Sequence, residues 1–261
     1  MLLALDIGNT NIVGGIFNNS YPLVRSFRIE TYTETNLKDE LAHSLDSANI
    51  HKNKITAIIV SSVVPKLTTE LIKILHEYFG VYPLLVAYNL LKIDIEINKS
   101  INPLEVGTDL LCNLVAAKHK YGNNTLIIDC GTATTFCILN KNQVFDGAFI
   151  LPGVKGFNNV LSEHTSLPII EFKEIDFELG INTESAIQVA AFHGYVGMIT
   201  NLINLVQSKY NNQLRIIVTG GNSVYFKTQN FIDFYEPDLT LNGLVQIYID
   251  NNNPNIKLNN I

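Results

Sequence analysis

Leu2-Leu3-Ala4-Leu5-Asp6-Ile7-Gly8-Asn9-Thr10-Asn11 and Leu126-Ile127-Ile128-Asp129-Cys130-Gly131-Thr132-Ala133 are two versions of one pattern: a short apolar run, an acid at its end, and a glycine two residues later. A second β-like run follows each at once, so each reads as a tight hairpin turning on its glycine. Glycine permits φ > 0 and a close approach of backbone to ligand, and successive N–H groups in such a turn form a nest for anions. The neighbouring Asn9, Thr10, Asn11, Thr132, Thr134 and Thr135 add neutral donors, and each acid can hold a cation or a metal-bound water beside phosphates. One Asp-x-Gly turn is commonly no more than an Asx turn. Here the two acids lie 123 residues apart, at positions 6 and 129 of 261, so each copy opens one half of the chain. Two such hairpins facing one another would grip a nucleoside triphosphate from both sides.

A chain of this length makes one large domain or two ordinary ones, and it can bury a sizeable core without disulfide or metal staples. The hydrophobic fraction of 47% is that of a globular protein, and no apolar run is expected to reach the roughly 20 residues of a membrane span. Met1 leads straight into a strand containing Asp6 rather than into a basic, apolar leader, so a cytoplasmic protein is expected. Cys112, Cys130 and Cys137 are odd in number and lack C-x-x-C spacing, which disfavours disulfides and zinc and leaves them as small core residues. A net charge of −6 argues against a nucleic-acid partner. An anionic substrate must then be held by local backbone and cation contacts, because the overall field does not attract it.

Apolar runs at 12–17 and 23–29 continue the first sheet, 55–64 is a buried strand ending at Pro65, 67–79 has helical spacing, 84–87 is a short strand, and 106–121 is a helix. The second half repeats the order, with strands at 125–129, 134–139, 144–151 and 215–218 and helices at 183–209 and 239–248. Gly122-Asn123-Asn124 is a plain turn, which places the boundary between domains 1–121 and 122–261. The asparagine-rich tail 251–260 is expected to fray. Two βββαβα units with a central cleft between them make an α/β architecture.

Three further segments carry polar groups at element ends. Val218-Thr219-Gly220-Gly221-Asn222-Ser223 leaves a strand on two glycines, against which a flat adenine could lie. Pro103-Leu104-Glu105-Val106-Gly107-Thr108-Asp109 opens a helix with Thr108 as N-cap and Asp109 in its first turn, where the helix dipole favours an ionised acid. Asn182-Thr183 opens a long helix, and the Thr183 hydroxyl is either a cap or a group offered to substrate. The six histidines show no metal-ligand spacing.

Taken in order, DIGNTN, PLEVGTD with Asn113 and Ala116-Ala117, DCGTATT, GAFILPG, INTESAI and VTGGNS resemble type III pantothenate kinase, within the acetate kinase/hexokinase/Hsp70/actin superfamily. Ser61-Ser62-Val63-Val64-Pro65 and the closing Pro237 to Leu244 extend the resemblance over nearly the whole chain. It implies duplicated ribonuclease H-like (actin-like ATPase) domains and an enzyme that phosphorylates pantothenate with ATP, the first step of coenzyme A synthesis. It further implies that Asp6, Ile7, Gly8, Asn9, Thr10, Asn11, Ile12 and Val13 bind ATP, with Thr132 touching it from the second hairpin. Asp109 becomes the proton acceptor, Gly107, Thr108, Asp109 and Leu110 lie along the substrate, and Thr183 meets it from the second domain. Asp129 matches the residue tied to a monovalent cation, potassium or ammonium; Mg²⁺ would accompany ATP, and a homodimer is the family's usual state.

The family usually has arginine where this chain has Leu110, and often an aspartate at the place of Cys137. Its Ser-Gly in the helix after Asn-Thr is Val189-Ala190 here, and its tyrosine before the Pro-x-x-x-Gly-x-Asp segment is Ser100 or Lys99. Leucine lacks the charge and donors of arginine, so weaker recognition of the substrate carboxylate is expected, with Lys99 as the substitute cation. The alternative is a catalytically silent relative acting as a nucleotide-binding regulatory or transcription-accessory protein; loss of Asp6 or Asp109 would favour it, and both are present. An actin-like or chaperone-like ATPase is disfavoured because the chain lacks the length and insertions of those proteins.

Overall fold

The computed structural model describes residues 1–19, 21–31 and 37–252, in two compact units. In the first, β1 (Leu2–Ile7) pairs antiparallel with β2 (Asn11–Phe17), which pairs antiparallel with β3 (Leu23–Glu30). After α1 (Leu37–Ser47), β4 (Ala57–Ser62) lies parallel to β1. After α2 (Pro65–Phe79), β5 (Leu84–Leu85) lies parallel to β4, giving the order β3-β2-β1-β4-β5. Alternation places Leu3, Leu5, Ile7, Ile58 and Val60 on one face, buried with Leu41 and Leu45 of α1 and Leu71 and Leu75 of α2. The chain passes a two-residue strand, β6 (Glu96–Ile97), and a 3₁₀ turn at Pro103–Glu105 before α3 (Thr108–Tyr121).

The second unit repeats the plan. Strands β7 (Thr125–Cys130), β8 (Ala133–Leu139) and β9 (Val144–Pro152) form an antiparallel meander. Helices α4 (Val154–His164) and α5 (Thr183–Lys209) follow, then β10 (Arg215–Thr219) parallel to β7 and β11 (Phe234–Tyr235) parallel to β10. The strands of this unit run in the order β11-β10-β7-β8-β9. Among the described residues α5 alone has the length and hydropathy of a membrane span, against the expectation that no segment would. Its Ala191, Phe192, Tyr195, Ile199, Ile203 and Val206 recur every three to four residues and bury a stripe against Leu126, Ile128, Phe136 and Val218 of the sheet.

The closing helix α6 (Leu239–Asn252) packs with the first unit, although the expected domain 122–261 assigned it to the second. It lies on the face of the first sheet away from α1 and α2, where a Cβ on Gly15 would touch Leu241. Thr240 donates to Asn113 of α3 at 2.8 Å, and Asn251 pairs with both backbone groups of Lys92 at 2.9 and 3.0 Å. At Gly243 any Cβ would overlap the Cys112 backbone, so α6 and α3 meet in direct main-chain contact. Residues 253–260 of the tail expected to fray lie outside the described residues, while Asn251 and Asn252 are helical.

Two helices, α1 and α4, come in addition to those read from periodicity. The hairpin glycines also depart from expectation, because neither Gly8 nor Gly131 has a positive φ. At Gly8 a side chain is disfavoured by space instead: a Cβ would stand 3.1 Å from the Asn11 carbonyl, which accepts the Gly8 N–H at 2.9 Å.

Candidate functional site

The first hairpin leaves β1 at Asp6, which is half-buried, and turns through exposed Asn9 and Thr10 to Asn11 at the start of β2. Ile7 and Ile12 flank the turn with side chains in the core. Only their backbone can face a ligand, and the half-buried Val13 stands directly opposite Asp6 in the ladder. Thr31, just beyond β3, fastens the loop from behind: its hydroxyl donates to the Gly8 carbonyl at 2.8 Å and its N–H to the Thr10 carbonyl at 2.9 Å. Sequence reasoning passed over Thr31, since a threonine after a strand is unremarkable until the meander folds it back onto the hairpin.

The second part of the site is the N-terminus of α3. The Gly107 carbonyl accepts the first helical bond, from Leu111 N–H at 3.1 Å, so Gly107 occupies the capping position expected for Thr108. The Asp109 carboxylate folds back over this end and accepts the Leu110 N–H at 2.8 Å. A Cβ on Gly107 would overlap that carboxylate, so a side chain there would push Asp109 from this position. Burial raises the Asp109 pKa above the ordinary aspartate range, and backbone N–H bonds offset the rise only in part. The result is a carboxylate more basic than an exposed one.

Thr108 is used differently from a cap. Its hydroxyl contacts Ser61 Oγ at 2.9 Å, accepts the Ser62 N–H at 3.1 Å and donates to the Ser62 carbonyl at 3.1 Å, all at the end of β4. Ser61 stands directly beside Asp6 in the β1–β4 register. The buried Cys112 thiol, one turn after Asp109, has its pKa raised by burial and then by the charges of Asp6 and Asp109, and lowered by a Ser61 hydrogen bond. The first unit therefore gathers Asp6, Ser61, Thr108 and Asp109 around one buried thiol. Leu110 is half-buried, and Lys99 is exposed in the loop after β6.

In the second unit Asp129 is the next-to-last residue of β7, as Asp6 is of β1. It stands between Thr219 on β10 and Thr135 on β8, whose hydroxyls are buried without a hydrogen-bond partner. A Cβ at Gly220, where φ is +91°, would overlap the Asp129 carboxylate, so this glycine is required twice over. Asn222 holds the turn, donating from its side chain to the Gly131 carbonyl at 2.9 Å and from its backbone to Cys130 at 2.8 Å. Thr132 is exposed at the hairpin tip. At the start of α5 the capping box is made by Asn182 and Ser185, which leaves Thr183 exposed and without a capping role. The corner Val218 to Ser223 opens a four-residue 3₁₀ helix rather than an α-helix.

The sequence profile of the family described as type III pantothenate kinase matches residues 2–205. Proteins named type III pantothenate kinase from Geobacillus kaustophilus and from another Geobacillus strain are each 35% identical over 257 residues, covering 96% of this chain and 98% of theirs. Among solved structures, a Campylobacter jejuni protein described as a Baf family transcriptional activator superposes with a TM-score of 0.61 at 19% identity, over 97% of this chain and all of its own. The activator of 2-hydroxyisocaproyl-CoA dehydratase from Clostridium difficile, with bound ADPNP, gives 0.55 at 14% identity, over 94% of this chain and 92% of its own. At these identities the likeness speaks for the fold alone, a duplicated α/β plan.

Proposed function

This chain belongs to the type III pantothenate kinase family, and from that premise we propose that Asp109 accepts the proton as the γ-phosphoryl group of ATP passes to the terminal hydroxyl of pantothenate. The observation that carries the assignment is the Asp109 carboxylate, desolvated at a helix N-terminus and set beside the strand end that holds Asp6. Phosphoryl transfer has a loose transition state, so most of the work is positioning and stabilising charge on the transferred oxygens. The Gly8–Asn11 turn, braced by Thr31, offers its backbone N–H groups and the side chains of Asn9 and Thr10 to the phosphates. Thr132 adds a hydroxyl from the second hairpin. The acceptor hydroxyl loses its proton only as the new bond forms, and a carboxylate of raised pKa is a suitable late acceptor.

Among the described residues no three acids, histidines or cysteines cluster to bind a metal by themselves. Asp6, half-buried at the first hairpin, would be the protein carboxylate for a Mg²⁺ arriving with ATP, since Mg²⁺ is usually held by one or two carboxylates plus substrate phosphates. It would neutralise phosphate charge. Asp129 with the unpartnered Thr135 and Thr219 hydroxyls is an all-oxygen donor set that fits a potassium or ammonium ion. Pantothenate would run along Gly107 to Leu110, with Thr183 as a further hydroxyl contact. In this reading the enzyme is cytosolic and a homodimer. Phe177, Leu179 and Ile181, exposed by 70, 85 and 93% within five residues just before α5, are apolar side chains of the kind that a second copy covers.

The test is ADP release by the purified chain with Mg-ATP, with and without pantothenate. Release that depends on pantothenate and yields the phosphorylated acid is expected. Tight ATP binding without phosphorylation of pantothenate at any concentration would reject this reading in favour of a silent nucleotide-binding relative.

A further inference from the structure

The end of β4 presents two adjacent serines, and alternation along a strand sends their side chains to opposite faces of the sheet. Ser62 serves α2: its hydroxyl accepts the Val64 N–H at 3.2 Å and contacts Thr68 Oγ1 at 2.6 Å, at a helix start whose own N-cap, Val64, has no side chain to offer. Ser61 serves the other face, where it is fully buried and meets Thr108 Oγ1 at 2.9 Å. Thr108 is the first residue of α3 and immediately precedes Asp109. Because Ser61 is also the ladder neighbour of Asp6, one short chain of contacts runs from the phosphate hairpin through Ser61 and Thr108 to the base.

We propose that Ser61 and Thr108 are positioning residues for phosphoryl transfer, a hydroxyl pair that fixes the start of α3, and with it Asp109, against the strand end carrying Asp6. The inference rests on the assignment of Asp109 as proton acceptor. Thr108 is then not free to recognise the substrate through its hydroxyl, because one proton and its lone pairs are spent on Ser61 and both backbone groups of Ser62. A neutral hydroxyl pair suits this place, since a cation would pair with Asp109 and a third carboxylate would repel the phosphates. The rest of α3 is held independently by Thr240 on Asn113 and by the Gly243 contact at Cys112, so losing the pair frees the first turn without releasing the helix.

The experiment compares Ser61→Ala, Thr108→Val, Thr108→Ser and Asp109→Asn in the full chain. A reacting group displaced by about 1 Å can cost on the order of 100-fold in rate. Ser61→Ala and Thr108→Val should therefore lower kcat by about 10- to 100-fold while KM for ATP stays within about twofold, and Thr108→Ser should recover most of the loss. Unchanged kcat in both Ser61→Ala and Thr108→Val, with only thermal stability lowered, would overturn the proposal, as would a Thr108→Ser variant no better than Thr108→Val. Should Thr108→Val not fold, Ser61→Ala decides alone, since it leaves the β4 ladder intact. Full turnover by Asp109→Asn would instead remove the base assignment itself, which keeps the two failures apart.

Discussion

At the scale of single residues, Asp109 sets the chemistry and its pH dependence. Asp109→Asn keeps the size and the Leu110 N–H contact but cannot accept a proton, so turnover should fall by about 10² to 10⁴ with ATP affinity retained; steady-state kinetics and nucleotide titration check it. The wild-type acid limb should lie above that of an ordinary aspartate, because burial favours the protonated form. The stability sign follows from the same shift. The folded pKa is raised above the unfolded one, so the native state binds the proton more tightly, and stability falls as pH rises from the unfolded value through the folded one. Asp109→Asn should therefore gain stability relative to wild type above that window and none below it, read from urea midpoints at several pH values. Leu110 is the residue most at odds with the family pattern. A charge-assisted hydrogen bond to a carboxylate is worth about 1.5 to 3 kcal/mol, so Leu110→Arg should lower KM for pantothenate by roughly 10- to 100-fold at nearly constant kcat, and Lys99→Ala should raise it.

At the scale of elements, the site is made where strand ends meet helix starts. Asp6 and Asp129 are next to last in the first strand of their sheets, and the parallel neighbour supplies a hydroxyl residue beside each, Ser61 and Thr219. Helix α6 supports α3 through a contact that tolerates no side chain at Gly243. Gly243→Ala should push the two helices apart and cost about 1 to 3 kcal/mol by overpacking, measured by denaturant unfolding, with kcat falling because α3 carries the base. Helices α1 and α4 explain why periodicity was incomplete as a guide. Among the described side chains of α1, Leu41, Ser44 and Leu45 are buried, and in α4 the segment Val154-Lys155-Gly156-Phe157-Asn158-Asn159 is a poor helix former held by burial of Val154 and partial burial of Phe157. Packing overrode local preference in α4, whereas α1 combines good helix formers with leucines at helical spacing.

At the scale of the whole molecule, the cation and the second copy come under test. Potassium or ammonium should raise the rate over sodium, and potassium should raise the melting temperature of wild type more than that of Asp129→Asn; equal values in pure sodium and pure potassium buffers would remove the cation. Placing a charge in the exposed apolar surface, as in Ile181→Asp, should turn a dimer into a monomer in light scattering without lowering the melting temperature, since Ile181 is almost fully exposed within one chain.

The duplicated plan, both acids, and the glycines at 8, 107 and 131 were legible in the sequence, because strand alternation and turn composition act over a few residues and leave a local imprint. What each glycine is for was not: Gly8 answers to crowding by Asn11, while the positive φ sits at Gly220, beyond the turn. Thr31, Ser61 and Asn222 carry no local signature, since a hydroxyl or amide acquires its partner only when a distant strand arrives. The destination of the last helix was likewise a tertiary decision. Leu239, Leu241, Leu244, Val245 and Ile247 announce that α6 must be buried, and either sheet could satisfy that demand. The close fit of Gly243 on Cys112, with Thr240 on Asn113 and Asn251 on Lys92, selects the first, because burial is non-directional while main-chain contact and paired hydrogen bonds are not.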